Sequence, residues 1–132
     1  MDPREKWIDL IGRSCGDGEG RVFLADAGAE LAGMLGVYRS HGVKNRHAGN
    51  VWGVYTRETY RGQRVTDRLM DEAVKWSAEN GIRILRLAVG TSNARALKCY
   101  ERCGFVAYGT SPEEIRVGDT YYDEILMYRR VG

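Results

Sequence analysis

The chemistry-bearing residues of this 132-residue chain concentrate in Tyr60-Arg61-Gly62-Gln63-Arg64-Val65-Thr66, an arginine-rich glycine turn. The run before it, Asn50 to Thr56, is rich in β-branched and aromatic residues and reads as a buried strand. After it, Val65, Leu69, Ala73 and Trp76 recur at helical spacing, with Asp67, Arg68, Asp71, Glu72 and Lys75 on the other faces. Strand, turn and helix form an anion-binding arrangement, because the first N–H groups of a helix have no intrahelical partner and carry partial positive charge. Taken alone the signal is weak, since a plain tight turn looks the same.

Bulk properties narrow the field. The chain is the size of one domain, expected to span residues 1–132. Its 20 basic and 18 acidic residues sum to only +2, too balanced to argue for nucleic acid or an anionic membrane surface. A nucleotide or nucleic-acid binder using Arg57, Arg61, Arg64 and Arg68 ranks low, lacking a Walker lysine-serine pair or a stacking platform. No stretch resembles a signal peptide or a membrane span. Cys15, Cys99 and Cys103 are an odd number without metal-type spacing, which favours a reducing cytoplasm and gives no reason to expect a metal. Cys99 and Cys103 fall one helical turn apart; they read first as packing residues, with a functional thiol pair as the alternative.

The remaining elements must position that turn. Asp2 to Ile11 reads as a capped helix, and Gly16 to Gly20 as a turn. Arg21–Asp26 and Glu30–Tyr38 read as a hairpin, and Ser40 to Gly49 as a polar loop. The helix from Val65 runs to about Asn80 and is followed by a buried strand, Arg83–Val89. Asn93 to Arg102 reads as a second amphipathic helix stopped by Gly104. Phe105–Tyr108 is the next strand, interrupted at Ser111-Pro112, and Thr120–Tyr128 the last. This order predicts an α/β or α+β fold with a mixed sheet.

The segment Asn93, Ala96, Tyr100, Glu101, Gly104, Phe105 resembles the Asn-x-x-Ala-x-x-x-Tyr-Glu-x-x-Gly-Phe helix of the GNAT superfamily of acyl-CoA-dependent N-acetyltransferases. Arg61 to Thr66 falls where that family carries Gln/Arg-x-x-Gly-x-Gly/Ala, but Arg64 stands in place of the usual glycine and Thr66 in place of glycine or alanine. A helix-start φ is open to any residue, so Arg64 is read as a tolerated variant with a role toward phosphate.

The resemblance covers roughly Arg21 to Tyr128. It implies a mostly antiparallel mixed sheet flanked by helices, here without the family's usual first strand and helix. That shortening reads as a truncated chain, an open acceptor side, or one completed by another subunit, and an uncovered sheet edge is compatible with a homodimer. By resemblance, acetyl-CoA is the co-substrate and its acetyl group passes directly to a primary amine. Arg61, Gly62, Gln63, Arg64, Val65 and Thr66 would hold its phosphates. The backbone of Val54, Tyr55 and Thr56 would bind the pantetheine arm like an added strand, assisted by Asn93 and Ala96, and one N–H would face the thioester oxygen. Tyr100 is the candidate acid for the departing thiolate. His47, Glu58 and Asp123 are equal candidates for the base. The alternative is a module of the same fold that binds acyl-CoA without turnover.

Overall fold

The computed structural model describes residues 11–132. Most of the helix expected from Asp2 lies outside them. Strand β1 occupies Ile11–Gly16, β2 Gly20–Ala27, β3 Glu30–Arg39 and β4 Ala48–Thr56. Helix α1 spans Val65–Glu79, β5 Ile84–Gly90, α2 Ala94–Arg102, β6 Val106–Val117 and β7 Thr120–Arg130. The seven strands form one sheet in the order β1-β2-β3-β4-β5-β7-β6. Only β4 and β5 run parallel, as the crossover through α1 requires.

Three expectations need correction. Ile11, expected to end a helix, and Gly16, expected to open a turn, are the two ends of a strand paired from Ile11↔Asp26 to Gly16↔Arg21. Its alternation of small and polar residues gives little periodic signal, and its stability comes from pairing along β2. Ala48 and Gly49 belong to β4 rather than to the preceding loop. Strand β6 does not stop at Ser111-Pro112. The register jumps there from Ser111↔Glu124 to Ile115↔Tyr122, so a bulge absorbs the proline that an unbroken ladder would exclude.

The core follows the expected periodicities. Leu85, Leu87 and Val89 alternate inward on β5, and Val65, Leu69, Met70 and Ala73 line the inner face of α1. Gly33 of β3 lets α1 approach closely: a Cβ built there would lie 2.8 Å from both the Tyr55 carbonyl oxygen and Val65 Cγ1. Ser77 is completely buried and its Oγ has no hydrogen-bond partner. Ser77→Ala removes an unsatisfied hydroxyl from a helix interior and should raise stability by about 1 kcal/mol in urea unfolding. No helix among the described residues is long and apolar enough to cross a membrane.

Candidate functional site

Strands β4 and β5 pair at only three positions, Ala48↔Ile84, Gly49↔Leu85 and Asn50↔Arg86. Beyond Asn50 the two strands part, while β5 stays paired with β7 through Gly90↔Glu124. A bulge adds to the divergence. Gly36 faces Trp52 but Met34 faces Tyr55, so β4 carries an extra residue, and Gly53 takes a left-handed φ of 61° that its missing Cβ permits. The β5-facing edge of β4 from Val51 to Thr56 is therefore left open, with backbone groups that need partners.

Helix α1 begins beside this open edge. The hydroxyls of Thr56 and Thr66 lie 2.9 Å apart and tie the end of β4 to the first turn of α1. This gives Thr66 a local purpose where glycine or alanine was the family expectation. Arg64 precedes the helix with φ 60° and ψ 34°, which is left-handed. The expectation of an ordinary helix-start φ is wrong: the position keeps the backbone that favours glycine, although it carries a side chain. Arg64 supplies no side-chain cap, so the first N–H groups of α1 keep their donor capacity. Its guanidinium pairs with Asp67, at 3.3 Å.

A cleft of about 630 Å³ opens between β4, the start of α1 and helix α2. Of the residues singled out in the sequence, Val54, Tyr55, Thr56, Arg61, Gly62, Arg64, Val65, Thr66, Asn93, Ala96 and Tyr100 all line it. Gln63 does not; its Oε1 is buried and without a partner. Asn93 caps α2 by accepting from the Ala96 N–H at 3.2 Å. Tyr100 is 8% exposed and packs edge-to-face on Phe105. Burial, helped by the neighbouring thiols of Cys99 and Cys103, pushes its phenol up to about 12, so it stays protonated at neutral pH.

The three candidate bases are dispersed. His47 precedes β4 at the end where β4 and β5 are still paired, and its carbonyl accepts from the Arg83 N–H. Glu58 lies in the turn after β4, outside the cleft lining. Asp123 sits beside the tip of β5, its carbonyl accepting from the Thr91 N–H and its carboxylate from the Glu113 N–H at 2.8 Å.

Much of the charge here comes from residues beyond those singled out in the sequence. Arg95, Lys98 and Arg102 of α2 also line the cleft, so with Arg61 and Arg64 it presents five bases against a single acid, Asp67. The signal was the spacing of three and four residues, which puts Arg95, Lys98 and Arg102 on one face. Asp67 falls outside the apolar stripe of α1, yet its side chain is only 17% exposed. Burial pushes its carboxyl upward, but hydrogen bonds from Arg102 and Cys99 and the charges of Arg102 and Arg64 outweigh this and hold it below the usual range.

Comparison with known proteins gives this arrangement a context. An acetyltransferase of the GNAT family from Streptococcus pneumoniae superposes with a TM-score of 0.81 at 25% identity, over 89% of this chain and 70% of its own. A Salmonella typhimurium protein described as an acetyltransferase, solved with its cofactor acetyl-CoA, shares the fold with a TM-score of 0.79 at 13% identity, over 87% of this chain and 66% of its own. A Bacillus subtilis acetyltransferase in complex with CoA does so with a TM-score of 0.71 at 18% identity, over 86% and 78%. Among curated proteins the sequence has no match. Residues 1–105 match the model of the acetyltransferase (GNAT) family. With an opened β4, a helix start beside it and a motif-bearing α2 closing the same cleft, the chain belongs to the GNAT acetyltransferase family.

Proposed function

We propose that the cleft binds acetyl-CoA and that residues 1–132 act as one domain transferring its acetyl group directly to a primary amine. The observation that carries this reading is the convergence of three complementary features on one cleft: an open strand edge, an uncapped helix start and a basic face of α2. The edge of Val54, Tyr55 and Thr56 suits the amides of the pantetheine arm, which would add to the sheet as a strand does. The start of α1 and the bases of α2 suit the pyrophosphate and ribose phosphate.

In the reaction, the amine nitrogen attacks the thioester carbon and a C–N bond forms. A β4 N–H stabilises the oxyanion, then the C–S bond breaks, the sulfur takes a proton from the Tyr100 hydroxyl, and the proton released by the acylated nitrogen passes through water to restore the phenol. A lysine-type amine, with pKa about 10.4, must first lose its own proton, at a cost of about 4 to 5 kcal/mol at pH 7.

Thiol release from acetyl-CoA with a panel of primary amines, with the acetylated product identified by mass, tests the proposal. Tyr100→Phe should lower turnover about tenfold to a hundredfold, since a thiol pKa near 8.5 already makes a fair leaving group, and should leave CoA affinity unchanged. Unaltered turnover would remove Tyr100 from the acid role. Binding of acetyl-CoA without thiol release for any amine would favour a module that binds acyl-CoA without turnover.

A further inference from the structure

Where α1 and α2 meet, three potential ligand atoms converge. Cys99 Sγ lies 3.3 Å and Cys103 Sγ 3.8 Å from the same oxygen, Asp67 Oδ1, and the three ligand atoms all lie within 4.8 Å of one another. We propose that Asp67, Cys99 and Cys103 form a binding site for a thiophilic divalent cation of the Zn²⁺ class, bridging the first turn of α1 and the last turn and C-cap of α2.

Geometry is the first support. A tetrahedral ion with bonds of about 2.3 Å to sulfur and about 2.0 Å to oxygen has a sulfur–oxygen edge of about 3.5 Å. The two observed separations bracket that edge, so small side-chain adjustments would seat an ion. Two thiolates and one carboxylate form a donor set suited to Zn²⁺ rather than to the hard, oxygen-seeking Mg²⁺ or Ca²⁺. Three protein ligands leave a fourth position for water.

The surroundings provide the second support. Asp67 does not need the thiols to be satisfied, because Arg102 already donates to it through Nε at 2.8 Å and Nη2 at 3.0 Å, and Arg64 through Nη1 at 3.3 Å. Two of those three bonds, from Arg102 Nε and Arg64 Nη1, go to Oδ2. They can persist while Oδ1 turns to a metal, as hydrogen bonds that orient a ligating carboxylate do. Charge balances as well. Each thiol gives its proton to solvent as its metal–sulfur bond forms, so a dication replaces two protons and the net charge of the cluster, with its two arginines, is unchanged. The sequence alone hid this site, because the third ligand lies 32 residues before Cys99.

Asp67 and Cys99 also line the cleft, but the proposal does not rest on the cofactor reading, and its test uses no CoA. Reduced, metal-free protein is titrated with Co²⁺, then with Zn²⁺. The expected result is a thiolate-to-cobalt charge-transfer band with tetrahedral d–d bands, saturating at one ion per chain and abolished by Zn²⁺. Zn²⁺ should also raise Tm by about 5 °C or more when well above its Kd. Cys15→Ser, altering the exposed thiol on β1, should keep the band. Cys99→Ser and Cys103→Ser should lose it, and Asp67→Asn should weaken binding more than about tenfold. Absence of the band in the unmodified protein, or a band that survives either Cys99→Ser or Cys103→Ser, would overturn the proposal.

Discussion

Gly33→Val is expected to lower stability by about 2 to 3 kcal/mol and to weaken acetyl-CoA binding at least about tenfold. The first carbon of the new side chain would sit 2.8 Å from the Tyr55 carbonyl oxygen and 2.8 Å from Val65 Cγ1, with Leu69 Cδ1 at 3.5 Å. One of those neighbours is backbone of β4 and another is the first residue of α1, so neither yields without displacing an element. Overpacking of this kind costs about 1 to 3 kcal/mol even where only side chains move. The displaced elements are the open edge and the helix start that define the cleft, so stability and ligand affinity should fall together. Urea unfolding and calorimetric titration of the same variant check both. A variant as stable as the parent that binds acetyl-CoA equally well would show that close α1–β3 packing does not position the site.

Charge reversal on α2 should separate the two properties. The double variant Arg95→Glu/Lys98→Glu takes the cleft lining from five bases and one acid to three of each. Both residues are exposed, so the fold should lose less than about 1 kcal/mol. A hydrogen bond to a charged group contributes about 1.5 to 3 kcal/mol. Removing two such contacts and adding repulsion should therefore raise the Kd for acetyl-CoA about a hundredfold or more. The salt dependence of binding should weaken as well, because fewer charges are brought into opposition. Retained affinity at low ionic strength would place the phosphates elsewhere.

The parts of this fold with strong periodicity could be read from the sequence. Val65, Leu69 and Ala73 announce α1, and the segment from Asn93 to Phe105 announces α2 together with its family resemblance. What could not be read depends on tertiary partners. Strand β1 has little periodicity of its own and exists because β2 pairs with it. Strand β6 continues past Pro112 because a bulge removes the need for the missing N–H. Arg64 adopts a conformation that its residue type disfavours, held by the Thr56–Thr66 tie and the docking of Val65 against β3, a constraint invisible in a local window.

Charge was harder still. Asp67 looks like one more solvent-facing acid until α2 brings Arg102, Cys99 and Cys103 onto it. Arg64, expected to serve a phosphate, turns its guanidinium to Asp67. In the proposed complex the phosphates would therefore meet the first N–H groups of α1, with Arg61 and the bases of α2 around them.

The most direct test of the account is thermal unfolding with acetyl-CoA, CoA and ATP added in turn. At about a hundred times its Kd, a ligand that binds only the folded state contributes about 2.7 kcal/mol, a shift of several degrees for a chain of this size. The account predicts that shift for acetyl-CoA and for CoA, and a smaller one for ATP, which has phosphates but no pantetheine arm to lie along β4. No shift with either CoA species, or one as large with ATP at equal concentration, would contradict it.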